Sequence, residues 1–497
     1  MSIPAAQAEV AAFLRGLAKA DPVETHISLV YLGRDTVWKL KKAVRLSFLD
    51  FTRPEDRRRF ADREFALNAA AAPGLYRDVV PVVRRPDGSL DLGGPSDAPV
   101  LDWVVRMARV PADDFLDEVA RLGGLTPQRL DAVADAVAAY HNGLPPLTGY
   151  QPDMARTATG NARAACEAGL PDERVLGWES AILAGLARRD AWLRARAAAG
   201  FVRRGHGDLH LGNLCLWQGR PVPFDALEFD EDLATTDLAY DLAFLLMDLD
   251  LRVDRAAANR VMNRYVARTG DAALVCGLPV FLSMRAMIRA HVQARMGKQE
   301  AAIRYLDAAE AYLRPSSSVV AAIGGLPGTG KSTLARALAP SLGAAPGALI
   351  LRSDESRKRR FGVAPEQRLP QNAYTPEISN AVFADLAALT RQAAAGGHCV
   401  IADATFIDPA HRRMLSEAAA QAGVPFVGLW LQAPLAELEQ RIRTRTGDAS
   451  DATVEVLRAA ARNDPGAGGW LAVPATDAAA AQGLAAATLK SHLVPRQ

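Results

Sequence analysis

Residues 325–332 read Gly-Leu-Pro-Gly-Thr-Gly-Lys-Ser, a full match to the pattern GxxxxGK[ST]. The apolar run Val319-Val-Ala-Ala-Ile-Gly324 precedes it, and the helix-forming run Thr333-Leu-Ala-Arg-Ala-Leu follows. That context gives the spacing a physical purpose. Glycines at 325, 328 and 330 let backbone N–H groups curl around phosphate oxygens at the start of a helix. Lys331 can then reach the β- and γ-phosphates of ATP, and the Ser332 hydroxyl can ligate Mg²⁺. Gly325, Gly328, Thr329, Gly330, Lys331, Ser332 and Thr333 are therefore the candidate nucleotide-binding residues of this segment, with Lys331 also catalytic.

Around this loop, apolar strand-like runs alternate with helical ones: LILRSD (349–354), CVIADAT (399–405) and PFVGLWLQA (425–433). That alternation predicts βαβ units and a mainly parallel sheet, an α/β fold. Asp403 closes one run, where a metal-associated carboxylate sits; a plain strand or helix cap is the other reading. Asp354 closes another, at the sheet edge that faces the ligand crevice. It is placed to take a proton from an acceptor hydroxyl, with Arg357 gripping an anionic group on that acceptor. The run Arg357-Lys-Arg-Arg360 suits an acceptor that already bears negative charge, or else forms a solvated helix face. Arg441 and Arg445, four residues apart, share one helix face and suit a lid over transition-state charge; a solvated basic face is the alternative.

These residues resemble the P-loop kinase group of polynucleotide 5′-kinases, zeta toxins and gluconate kinases, whose members also go by the name AAA family ATPase. The resemblance covers about 319–470. It implies that Asp354 and Arg357 serve the acceptor, and it matches Asp403-Ala-Thr405 to the group's third-strand pattern. The second arginine-finger region of ring-forming AAA machines is not found in this sequence.

Working upstream, Arg314-Pro-Ser-Ser-Ser318 is the best linker, dividing the chain into 1–314 and 319–497. The first part opens with strand-like runs and a charged helix, then turns mostly helical, an α+β pattern. Its polar centre is His206-Gly-Asp-Leu-His-Leu-Gly-Asn213, followed by Asp225 after the run Pro221-Val-Pro-Phe224. Phosphoryl transfer needs a carboxylate aimed at the acceptor hydroxyl and two metal-binding groups under the triphosphate. Asp208, Asn213 and Asp225 supply that set in the order protein kinases use.

HGDLHLGN followed by FDALEFD (224–230) resembles the aminoglycoside-phosphotransferase family, a kinase-like fold acting on small molecules. The resemblance implies Asp208 as catalytic base and Asn213 and Asp225 as Mg²⁺ ligands. It places Glu228 and Asp230 near the acceptor pocket and makes Asp237 the support of the loop. An ATP-anchoring lysine belongs on a strand, paired with a helix glutamate. Lys39 and Lys41 point to one strand face; the pattern favours Lys41, with Glu64 as partner. Adenine would hang near Met107. No GxGxxG precedes the lysine, and Thr25-His-Ile-Ser28 stands in its place. The whole chain thus resembles bacterial fusions of an aminoglycoside-phosphotransferase-like, protein-kinase-like α+β domain with an α/β P-loop NTPase domain.

Bulk properties agree with a globular enzyme. Among 497 residues, 49% are hydrophobic and 23% charged, and the net charge of +2 creates no field toward nucleic acid or membrane. No uncharged apolar run reaches 18 residues, and four scattered cysteines lack metal-ligand spacing. The expectation is a cytoplasmic, ATP- and Mg²⁺-dependent kinase with two sites and small-molecule hydroxyl acceptors. A nucleic-acid 5′-kinase or a nucleotide-sensing regulatory module are the alternatives for the second part.

Overall fold

The protein is described from a computed structural model covering residues 3–46, 49–94, 98–444 and 450–493. It divides into two compact units, one of 1–152 with 194–241, the other of 153–193 with 242–497. The expected fold classes hold at the level of topology: α+β with an antiparallel sheet in the first unit, and a parallel α/β sheet in the second.

In the first unit an antiparallel sheet has the spatial order Val23–Glu24, Ser28–Leu32, Thr36–Lys41, Val100–Ala108, Tyr76–Arg84, Leu90–Leu92. Alternation sorts its side chains by face. Leu29, Tyr31, Leu40, Val82 and Val104 bury one face against Val10 and Leu14 of the first helix. Lys39 and Lys41, on the other face, meet Glu64 of the helix Pro54–Asn68. Pro54 at its start and Glu55 and Asp56 in its first turn favour a helix beginning there. Further on, the hairpin Leu214–Trp217/Arg220–Pro223 turns through Gln218 and Gly219, both at positive φ, the backbone that a two-residue hairpin requires. The hairpin returns the chain to the Asp208–Asn213 loop, where Phe224 N–H donates to Asn213 O.

The second unit holds a sheet of five parallel strands in the order Leu349–Arg352, Val400–Asp403, Val320–Gly325, Phe426–Gln432, Leu471–Pro474. The strand Val320–Gly325 is buried throughout, as the unbroken apolar run requires when helices cover both faces of a sheet. The same unit includes the helical hairpin Leu278–Arg295/Gln299–Tyr312, where Trp178 Nε1 donates to Ser283 Oγ and Ser283 Oγ donates to Ala309 O. It also includes the helix Arg255–Thr269, which lies along the sheet's free edge. Asn259 Nδ2 donates to Ala348 O at 3.0 Å, and Ile350 N–H donates to Asn263 Oδ1 at 2.7 Å. Two asparagine side chains thereby do what a sixth strand would do. No described helix is long and apolar enough to cross a membrane.

Candidate active sites

In the first unit, Asp208, Asp225, Lys39, Met107 and Glu228 line one cavity of about 700 Å³. Its roof is Thr25-His-Ile-Ser28, a tight turn closed by Thr25 N–H to Ser28 O at 2.9 Å. Met107, paired with Val37 across the sheet, sits among Leu32, Leu75 and Val110, an apolar slot of the kind a flat base enters. Asn213 Nδ2 donates to Asp208 Oδ2 and to Asp208 O, both at 2.9 Å.

Asp225 adopts φ +60°, a conformation few non-glycine residues take, at an expense of about 1–3 kcal/mol. Flanking bonds hold it there: Asp225 N–H donates to Tyr76 Oη, and Ala226 N–H to Asn68 Oδ1. Strain maintained by its surroundings in this way is typical of a functional position.

The two lysines divide differently from the expected pattern. Glu64 bridges both, at 2.8 Å to each Nζ. Lys39 also reaches Asp225 Oδ1 at 2.5 Å and lines the cavity, whereas Lys41 is wholly buried against Glu228 and does not. The result is a chain of alternating charge, Asp225–Lys39–Glu64–Lys41–Glu228. Burial acts to raise the Glu64 carboxyl, but the two ammonium groups overcome it and bring the pKa down to about 2. Burial likewise pulls Lys39 down, and Asp225 and Glu64 outweigh it, leaving the lysine well above its usual range.

The signs fix a pH window. A carboxyl lowered from 4.5 stabilises the fold above that pH and loses the contribution as pH falls toward 2. The lysines, raised above 10.5, contribute fully below that pH and lose it only on further alkalinisation. The pairs of Glu64 with the two lysines should therefore contribute fully from about pH 5 to about pH 10 and fail first in acid. Thermal midpoints measured between pH 5 and 3 should fall less in Glu64→Gln than in the wild type. Equal slopes would show that Glu64 is not the group lost.

The support of the loop differs from the expected one. Asp237 is paired with Arg196, at 2.6 and 2.8 Å. The N–H groups of His206 and Gly207 instead donate to Asp241, at 2.7 and 2.9 Å, and His141 Nε2 lies 3.2 Å from the same carboxylate. Gly207 has φ +83°, and a Cβ there would press on Leu227. His206, whose pKa burial lowers against the pull of nearby carboxylates, donates from Nε2 to Phe224 O and so joins the loop to the segment entering Asp225. Asp230 caps a short helix through Leu233 N–H and is not part of the cavity wall.

In the second unit the strand Val320–Gly325 delivers the phosphate-binding loop to the start of the helix Lys331–Leu338. Gly325 at φ +140° passes so close to Leu431 O that a Cβ would clash at 2.6 Å. Lys331 Nζ donates to Gly325 O and Leu326 O, both at 3.0 Å, and Thr329 Oγ1 to Leu326 O at 2.8 Å. Thr333 is exposed on the helix's first turn. Ser332 Oγ donates to Asp403 Oδ2 at 2.6 Å, because the sheet sets Asp403 beside Ile323. Gly328 packs against Leu438 of the helix Leu435–Thr444, whose Arg441 donates to Gly328 O at 3.5 Å, to Ala475 O at 2.9 Å and pairs with Glu437. Arg445 lies outside the described residues.

Asp354 stands half-buried in the first turn of the helix Ser353–Arg360. Its charge is felt by Arg357 and Tyr374. The basic run after it is divided between the interior and the surface. Arg357 is buried, donates to Ala373 O at 2.7 Å and lies over the Tyr374 ring. Lys358 is buried on Asp451, and Arg360 pairs with Asp385 at the surface. The helical turn sends consecutive cations to separate internal partners. A residue that motif reading missed is Arg352, which touches both Ser332 and Asp403.

A family model described as an AAA domain matches residues 320–463. The uncharacterized protein Rv2004c of Mycobacterium tuberculosis strain H37Rv is 30% identical over 459 residues, 89% of each chain. The uncharacterized protein Mb2027c of Mycobacterium bovis gives the same figures. Among solved structures, a choline/ethanolamine kinase family protein from Mesorhizobium loti is 14% identical (TM-score 0.37), covering 62% of this chain and 95% of that one. A gluconokinase from Sinorhizobium meliloti 1021 is 19% identical (TM-score 0.24), covering 36% and 98%. The chain belongs to the family of these mycobacterial proteins, and its residues 320–463 form the part that matches the AAA-domain model.

Proposed function

We propose that this protein is an ATP-dependent phosphotransferase with two kinase sites, divided in sequence at 314–318, each moving the γ-phosphoryl group of ATP to a hydroxyl of a small molecule. The observation that carries the reading is the meeting of Asp208, Asp225, Lys39 and the slot at Met107 in one cavity of about 700 Å³. That volume accommodates a nucleotide with a small acceptor. Lys39 is the better anchor for the ATP phosphates, since it reaches the cavity while Lys41 stays behind it joining Glu64 to Glu228. Asp208 accepts the proton of the acceptor hydroxyl as the new P–O bond forms.

Asn213 and Asp225 at the first site, and Ser332 and Asp403 at the second, are hard oxygen donors, two per site. That matches Mg²⁺, which takes one or two protein ligands and completes its shell with phosphate and water. When bound, the metal offsets charge on the phosphate oxygens. At the second site Lys331 and the loop N–H groups hold the triphosphate, and Asp354 is the base. Arg357, tied to Ala373 O, orients the turn that carries Asp354. Arg441, already on the loop at Gly328, approaches the phosphates from the helix Leu435–Thr444.

The ion pairs that occupy Lys358 and Arg360 weigh against a nucleic-acid acceptor. Four free cysteines, three of them buried, accord with a reducing, cytoplasmic setting.

The test is ATP consumption against sugars, amino alcohols, nucleosides and 5′-hydroxyl oligonucleotides, with wild type, Asp208→Asn and Lys331→Ala as full-length proteins. Each accepted small alcohol should be lost in one variant and kept in the other. Turnover of oligonucleotides alone would refute the small-molecule reading.

A further inference from the structure

Arg352 ends the edge strand of the parallel sheet, and its buried guanidinium reaches Ser332, Asp403 and Glu355 among its partners. Nη2 donates to Ser332 Oγ at 2.9 Å, Nε to Asp403 Oδ2 at 3.1 Å, and Nη1 to Glu355 Oε1 at 3.2 Å. Ser332 Oγ gives its own proton to the same Asp403 oxygen. The Ser332 hydroxyl and the Asp403 carboxylate are the two groups assigned above to Mg²⁺. The guanidinium therefore draws on the lone pairs a metal would use, and it sets a positive charge within hydrogen-bond reach of a dication's place. In a site this poorly screened, two cations on one carboxylate oxygen repel strongly. Glu355, three residues further along and one helical turn away, already shares the guanidinium and offers it an alternative.

We propose that Arg352 is a resident counter-cation: it holds the Ser332–Asp403 pair until metal arrives, then transfers to Glu355, so that these two residues set how much Mg²⁺ the second site demands. The inference rests on the nucleotide-binding reading of the phosphate-binding loop. It assigns Arg352 a positioning role, since the side chain acts through the metal ligands. Sheet order makes the arrangement possible, because the strands Leu349–Arg352 and Val400–Asp403 run parallel with Arg352 opposite Asp403.

The test uses the full-length protein carrying Asp225→Asn, which weakens metal use at the first site. A non-hydrolysable ATP analogue is bound by equilibrium dialysis at increasing Mg²⁺, and free Mn²⁺ is followed in parallel by its paramagnetic resonance signal. Arg352→Met should lower the half-saturating metal concentration roughly tenfold, the value of one charged hydrogen bond no longer displaced. Glu355→Gln, which removes the alternative partner's charge, should raise it. An unchanged or higher requirement in folded Arg352→Met overturns the proposal. If that variant does not fold, Glu355→Gln decides alone, and a requirement at or below that of the parent overturns it. Lys331→Ala separates the two levels. If it binds analogue as well as the parent, the nucleotide reading of the loop fails. If it abolishes binding while Arg352→Met leaves the metal requirement alone, only the role given to Arg352 fails.

Discussion

Asp208→Asn should cut transfer at the first site by roughly 10²–10⁴-fold while leaving ATP binding within about threefold of the wild type. Asparagine keeps the shape of the side chain, and its amide oxygen can still accept the bond from Asn213 Nδ2. What it cannot do is take a proton from an acceptor hydroxyl. The residue is half-exposed at the cavity wall, so the substitution leaves no hole in the core. Asp225→Asn gives the contrasting result: with a metal ligand weakened and the partner of Lys39 neutralised, Mg·ATP affinity itself should fall. Calorimetric titration of a non-hydrolysable analogue, alongside product formation in a Lys331→Ala background, separates the two effects. Transfer at the wild-type rate in both variants would remove the catalytic reading of this loop.

Lys331→Ala should reduce turnover at the second site by at least roughly 10²–10³-fold, the effect of deleting one aligned donor at developing charge. The side chain is half-buried and donates to two carbonyls of its own loop, Gly325 O and Leu326 O, so it is already placed over the phosphate cradle. It takes no part in the core beneath, where Ile323, Leu334 and Leu338 pack. Stability should then change by no more than about 1 kcal/mol. Urea unfolding and ATP turnover on the same preparation give both numbers. Unchanged turnover of the second site's substrate would mean that the loop binds no reacting phosphate.

Both fold classes could be read from local signals: an unbroken apolar strand into a glycine loop, and an Asp…Asn…Asp spacing before and after a hairpin. The residues that were not legible depend on distant neighbours. Lys39 and Lys41 share one strand face, and only the return of Asp225 and Glu228 separates them. Asp237-Leu-Ala and Asp241-Leu-Ala repeat one helical turn apart. The helix begins at Leu238, so Asp237 remains in a short strand facing Arg196, while Asp241 turns toward the loop. Arg352 belongs to no spacing pattern, because parallel pairing with a strand some fifty residues later puts it on Asp403. The basic run from 357 to 360 is a local signal that does not give its partners, which for Arg357, Lys358 and Arg360 are Ala373 O, Asp451 and Asp385.

The two asparagines on the sheet's free edge bear on how this gene can be taken apart. An expression clone opened at the serine-rich linker would discard Asn259 and Asn263, leaving Ala348 O and Ile350 N–H with nothing to bond except water or another copy of the same edge. Such a fragment is set up to polymerise strand to strand, and its inactivity would say little about the catalytic residues it still carries. A portable version of the parallel-sheet part has to begin at or before residue 255.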